Sequence, residues 1–145
     1  MMLRRATLGD AGAVADVYLA ARAAASPAVA WAHDAAEVRQ WIAGVLIPRG
    51  GMTVAVAGLT VHGYIAMAGE WVDHIFIHPL SWRRGIGSRL IAHAKKVQPA
   101  GLRLWTFQSN TRARAFYERH GFSAAQMTDG AGNEEHEPDV LYVWQ

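Results

Sequence analysis

The segment 71–107 constrains this chain more than any other. Residues 71–78 (Trp-Val-Asp-His-Ile-Phe-Ile-His) read as an apolar strand, with Ile75 and Ile77 on one face and His74, Phe76 and His78 on the other. A basic turn containing Gly85 and Gly87 follows. A helix then places Ile86, Leu90, Ile91, Ala94 and Val97 on one side, Pro99, Ala100 and Gly101 stop it, and 102–107 forms another strand. Two strands joined through a helix run parallel, and their crossover is right-handed. The fold must therefore contain a parallel pair with a helix lying across one face of the sheet.

The flanking sequence adds to this unit. Residues 3–6 suit a short strand, and Thr7 or Asp10 can cap a helix in which Val14, Val17, Tyr18 and Ala21 recur up to about Ala24. Ser26 and Pro27 break it. Asp34, with Glu37 three residues on, opens a helix carrying Val38, Trp41, Ile42 and Val45 on one face, and 48–51 ends it. Residues 52–57 and 61–68 are strands that short turns at Gly58 and at Gly69 and Glu70 join into an antiparallel meander with 71–78. Asn110 caps a short helix ending at His120 and Gly121. Residues 122–127 and 140–144 are the last strands, around the acidic loop 129–139. The expected class is α/β (α+β): a mixed, mostly antiparallel sheet with helices on both faces. A length of 145 residues, 52% of them hydrophobic, suits a single domain, 1–145, with a substantial core.

Composition excludes several function classes. The chain has no cysteine, so disulfides, thiolate metal sites and a cysteine nucleophile are ruled out. His74 and His78 lie four apart without an evident third ligand, so no metal is expected. A net charge of +2 does not make a nucleic-acid platform. No apolar run approaches the ~20 residues that span a bilayer, and the first ten residues are too polar for a signal-peptide core. A cytoplasmic protein without membrane or nucleic-acid partners is expected.

The turn between the first strand and the helix of 71–107 has the chemistry of an anion site. The first amides of a helix lack partners inside it, and the helix dipole adds positive potential there. Gly85 and Gly87 allow close approach, and Arg83, Arg84 and Arg89 add charge. A second dense motif runs Asn110-Thr111-Arg112-Ala113-Arg114-Ala115-Phe116-Tyr117-Glu118-Arg119-His120-Gly121-Phe122. Gly121 suits the left-handed position just past a helix end, with Phe122 folding back on the last turn.

In this order and separation, the two motifs resemble those of the GNAT N-acetyltransferase superfamily. Its members carry Arg/Gln-x-x-Gly-x-Gly/Ala before the central helix and Asn-x-x-Ala-x-x-Phe-Tyr-Glu-x-x-Gly-Phe after the next strand. Residues 110–122 match the second pattern without a gap. Gly85 and Gly87 match the first, and Trp82 stands where the family has Arg or Gln. Element order agrees over nearly the whole chain.

The resemblance implies acetyl-CoA as cosubstrate and a small-molecule or peptide amine as acceptor, within a sheet whose central parallel strands splay apart. It places the diphosphate on the amides of Arg83, Arg84, Gly85, Ile86, Gly87 and Ser88. The pantetheine arm would lie along Ile75, Phe76 and Ile77, with Asn110, Arg114 and Tyr117 beside it. Tyr117 would also protonate the departing thiolate. The amine, with a free pKa of ~10.4, needs a base, and Asp73, Glu70 and His74 are the candidates, Asp73 being read on the face of Ile75 and Ile77. Trp31, His33 and Trp71 either line the acceptor pocket or fill a core. The acidic loop is a solvated segment or a collar for a cationic amine. A homodimer is compatible with the resemblance, with the C-terminal strand as candidate edge. A non-catalytic acyl-CoA sensor is the alternative function.

Overall fold

Local sequence signals start and stop most of the elements. The computed structural model describes residues 1–25 and 32–145. Its order is β1 (Met2–Arg5), α1 (Ala11–Ala24), α2 (Ala35–Trp41), β2 (Met52–Ala57), β3 (Thr60–Ala68), β4 (Trp71–Ile77), α3 (Ile86–Val97), β5 (Leu102–Phe107), α4 (Thr111–Arg119), β6 (Ser123–Met127) and β7 (Asp139–Trp144). Asp34 and Glu37 form the expected reciprocal cap of α2: the Glu37 N–H donates to Asp34 Oδ1 at 2.8 Å and the Asp34 N–H to Glu37 Oε1 at 3.3 Å. The continuous helix expected through Val45 instead widens into a π-helical stretch, Ile42–Leu46, with the Ile47 N–H reaching back to the Ile42 carbonyl at 3.0 Å.

Asp10 secures the start of α1. Its carboxylate accepts two guanidinium bonds from Arg4, at 2.8 and 2.9 Å, and the Thr7 N–H at 2.8 Å. The Arg4 bonds hold its pKa at about 2, below the ordinary 3.8. A depressed carboxyl pKa stabilises the fold above the unfolded value, and the contribution is lost as pH falls through the folded one. Asp10→Asn is expected to cost roughly 1–2 kcal/mol at neutral pH, Arg4 being partly exposed and screened. It should also flatten the stability loss between about pH 4 and 2, as measured by denaturant titration at stepped pH.

Among the described residues, seven strands form one sheet in the order β1-β2-β3-β4-β5-β7-β6. β1 to β4 are antiparallel neighbours, as the short turns require. β4 and β5 are parallel but pair only at Trp71 and Arg103, with the Arg103 N–H donating to the Glu70 carbonyl at 2.8 Å. Beyond that point they part. The C-terminal strand is not the edge: β7 lies between β5 and β6 and pairs with both. The physical reason is composition. Val140, Leu141 and Tyr142 are all buried, so β7 needs cover on both faces, whereas Ser-Ala-Ala-Gln-Met in β6 is exposed throughout and serves as the edge.

The sheet separates two cores. Val14, Val17, Val38, Ile42 and Leu46 from α1, α2 and the π stretch pack with Val54, Tyr64 and Ala66 on one face. Ile86, Leu90, Ile91, Ala94 and Tyr117 from α3 and α4 pack with Ile65, Leu102, Leu104 and Tyr142 on the other. One irregularity positions the site. Ala66 and Met67 are consecutive in β3 but face His74 and Val72, so Asp73 is the extra residue of a β-bulge. The bulge lies just after β4 leaves β5. It switches the strand's facing, so Val72 and Ile75 both join the α3 core.

Candidate active site

The turn before α3 is tightly braced. His78 Nδ1 accepts the Leu80 N–H at 3.2 Å, and the buried Ser81 hydroxyl pairs with His62 Nδ1 at 2.7 Å. Trp82 Nε1–H donates to the Ile77 carbonyl at 2.9 Å. Beyond this brace, Arg83 and Gly85 have φ of 66° and 75°, while Arg84 between them does not. Alternation in the sign of φ is the backbone pattern that turns successive N–H groups to one side, which suits an anion. The left-handed Arg83 is strained by about 1 kcal/mol. A Cβ on Gly85 would meet open space, so this glycine serves the backbone angle and leaves the turn accessible. Gly87 also has a packing role. A Cβ there would sit 3.1 Å from the Phe116 ring, so its absence lets α4 close onto α3. The Ser88 hydroxyl extends that contact by pairing with His120 Nε2 at 3.0 Å.

The gap between β4 and β5 has its own polarity. The His78 N–H bonds the His62 carbonyl, which makes Tyr64 and Phe76 a hydrogen-bonded pair two residues back in the register. The backbone groups of Ile75 and Ile77 therefore face the β5 side, where β5 is no longer paired. Trp82 takes the Ile77 carbonyl; among the described residues, no β4–β5 pairing beyond Trp71 and Arg103 engages the Ile77 N–H or the two groups of Ile75. Phe76, expected beside the cofactor, turns away in both respects. Its backbone bonds β3, and its ring packs edge-on against Tyr18 with centroids 5.0 Å apart.

α4 borders the gap. Asn110 caps it, its carboxamide oxygen accepting the Ala113 N–H at 3.1 Å. At the other end, Gly121 has φ 88°, its N–H donates to the Glu118 carbonyl at 3.2 Å, and the Phe122 N–H donates to that of Tyr117 at 3.0 Å. This is the expected left-handed cap with Phe122 folded back. Tyr117 is buried against Phe116, Phe122 and Tyr142, in the same apolar cluster as Ile75 and Ile77. Burial pushes its phenol well above the ordinary value, so it is protonated. Arg114 has its donors engaged within the protein. Its Nε–H donates to the Tyr142 hydroxyl at 3.0 Å and Nη1 to the Gln108 carbonyl at 3.3 Å. Arg89 turns away from the turn, donating to the Met1 carbonyl at 3.1 Å.

The three candidate bases separate. Glu70 lies at the joined end of β4 and β5 with its carboxylate 3.5 Å from Arg103, a structural place. Asp73, expected on the face of Ile75 and Ile77, is carried off it by the bulge and pairs with Arg49 at 2.9 Å. Partial burial raises its pKa, against the opposing effect of Arg49. His74 is enclosed by Tyr18, Trp41, Tyr64 and Phe76. Burial first, then Arg49 and Arg22, lower its pKa to about 4. The Tyr64 phenol lies 2.9 Å from its Nδ1 and, being buried, keeps its proton and donates it. His74 is thus neutral with the Nδ1 lone pair engaged. Sequence reading missed this cage because three of its four walls come from α1, α2 and β3.

On the same side, His33 bridges Glu37 at 3.1 Å and Glu134 at 2.6 Å, and both carboxylates raise its pKa, Glu37 most. Glu135 approaches Arg22 at 3.9 Å, and Asp139 is tied to the Thr128 hydroxyl and to Asn133. Several carboxylates of the expected acidic collar are therefore engaged within the protein. Tyr18, Arg22, His33 and Glu135 line a small cavity there. Trp71 lies at the joined end of the gap, and Trp31 lies outside the described residues. Among the described residues, no group of three or more His, Asp or Glu could hold a metal, and no helix is long and apolar enough to cross a membrane.

Comparison with known proteins bears on the family and the fold. The model of the acetyltransferase (GNAT) domain family matches residues 39–124. The peptidyl-lysine N-acetyltransferase YjaB of Salmonella typhimurium is 34% identical over 67 residues, which is 46% of this chain and 46% of that protein. The match thus spans less than half of that relative's length. Among solved structures, apo YjaB of Escherichia coli superposes with a TM-score of 0.82 at 19% identity, covering 99% of this chain and 96% of that one. The PaiA N-acetyltransferase of Thermoplasma acidophilum, in complex with coenzyme A, superposes at 0.70 with 18% identity, covering 99% and 98%.

Proposed function

Because this chain belongs to the GNAT acetyltransferase family, we propose that it moves the acetyl group of acetyl-CoA to a primary amine by direct attack, with both substrates bound together. The observation that carries the reading is the parting of β4 from β5 after a single pairing, with the Ile75 backbone aimed into the opening and the anion turn at its mouth. The diphosphate would rest on the N–H groups of 83–88, flanked by Arg83 and Arg84. The pantetheine amides would pair with the backbone groups of Ile75 and Ile77 as an added strand. Asn110 keeps its amide nitrogen for the same arm, since its oxygen is used in the cap.

Tyr117 holds its proton at all physiological pH values and can give it, or a hydrogen bond, to the departing thiolate, whose free pKa is ~8.5. Among the three carboxylate and imidazole candidates, Asp73 fits the base best. It stands at the bulge where the strands part, and its basicity is raised. His74 is too weakly basic and its Nδ1 is occupied, so it acts instead as a wall of the acceptor side. With no cysteine in the chain, a cysteine-linked intermediate has no carrier. The YjaB relative is named for peptidyl-lysine, which puts a lysine ε-amine first among the acceptors to try.

The test is an amine panel (lysine peptides, polyamines, amino acids, peptide N-termini) with mass detection of acetylated product and assay of free CoA. Turnover with at least one amine is expected. Tight acetyl-CoA binding without product from any amine would favour a binding module instead. With the active acceptor, Asp73→Asn should lower kcat by about a hundredfold and remove the acidic limb of the pH–rate profile. An unchanged profile would take Asp73 out of the reaction.

A further inference from the structure

Trp82 occupies the position where the family carries Arg or Gln, and the structure shows what the indole does there. Its Nε1–H bond to the Ile77 carbonyl fixes the ring against the end of β4, half-buried. The Arg112 guanidinium lies over that ring, 3.8 Å from its centroid. Arg112 belongs to the first turn of α4, far in sequence from the turn it approaches.

We propose that Arg112, held on the face of Trp82, is a diphosphate-binding cation of this site. The assignment rests on the acetyl-CoA reading above. Stacking uses only the face of a guanidinium and leaves its in-plane N–H donors directed outward. Those donors form the fork that grips phosphate oxygens in pairs. Among the described residues, the Arg112 donors make no hydrogen bond, whereas Arg89 and Arg114 are committed to Met1, Tyr142 and Gln108. The cations left around the anion turn are therefore Arg83, Arg84 and Arg112, and Arg112 is the one whose position is set by a rigid ring. Trp82 is a positioning residue here: it acts on the phosphate through Arg112.

The test is a double-substitution cycle read by calorimetry with CoA. Arg112→Ala is expected to weaken CoA about tenfold, the loss of a charge-assisted contact at a solvated site. Trp82→Leu should weaken it comparably, and Trp82→Phe, which keeps an aromatic face, should weaken it less. The double variant Arg112→Ala/Trp82→Leu should bind about as the weaker single variant does, because each change removes the same contact. Arg119→Ala, an equal loss of charge at the far end of α4, should retain wild-type affinity. An Arg112→Ala affinity within twofold of wild type, or single losses that multiply in the double variant, would overturn the assignment while the acetyl-CoA reading stands. Absence of heat with the unsubstituted protein would overturn both.

Discussion

Tyr117→Phe is expected to lower acetyl transfer about a hundredfold while CoA affinity stays within twofold of wild type. The phenyl ring keeps the contacts with Phe116, Phe122 and Tyr142, so the fold and the apolar wall of the gap persist. Only the hydroxyl is lost. If that hydroxyl neutralises the leaving thiolate, its removal acts in the transition state and not in the ground state, so kcat falls and the CoA dissociation constant does not. Steady-state kinetics beside calorimetry separates the two. Equal turnover by wild type and variant would leave Tyr117 as a core residue. So would equal acceleration of wild type and variant by an acyl donor with a more acidic leaving thiol, because a lost proton donor should make the variant gain more.

The second large effect concerns stability. Gly51 has φ 85°, and a Cβ there would lie 2.1 Å from the Met67 carbonyl oxygen. Its own carbonyl accepts the Met67 N–H at 2.9 Å, so the two backbones cannot separate without breaking the pairing. Gly51→Ala combines left-handed strain with overlap against backbone and is expected to cost about 3 kcal/mol, or about 10 °C in Tm. Gly50→Ala supplies the control. Its φ is 81° but a Cβ would meet nothing within 4 Å, so only the strain of about 1 kcal/mol applies. Equal losses from the two substitutions would contradict the strand approach at Met67. That approach bears on function, because Ala66 and Met67 face the bulge that sets Asp73 apart.

Features written in local sequence were legible and those written by partners were not. Asn110 and Gly121 mark the ends of α4 by capping chemistry that needs no other element, and both ends fall where expected. Asp34 and Glu37 do the same for α2. The bulge at Asp73 depends on which β3 residues lie opposite, so period-two reading put Asp73 on the wrong face. The apolar run 140–144 against Ser-Ala-Ala-Gln-Met marks β7 as the strand that needs cover, but which neighbours cover it is a choice between sheet edges that local sequence does not make. Gly87 reads as a phosphate glycine beside Gly85, and nothing local shows that the side of its absent Cβ is occupied by Phe116 from another helix. Arg89 and Arg114 sit in the right motifs but reach other partners, while Arg112 has the same local sequence credentials and reaches the turn through Trp82.

Three contacts run along one side of α4: Arg112 on Trp82, Phe116 on Gly87, and His120 on Ser88. They clamp this helix to the anion turn and to the opening of α3 from its first turn to its last. Tyr117 rides on the same helix. In the proposed reaction the diphosphate grip and the phenol are thus parts of one lever, and any tilt that loosens one end carries the other with it.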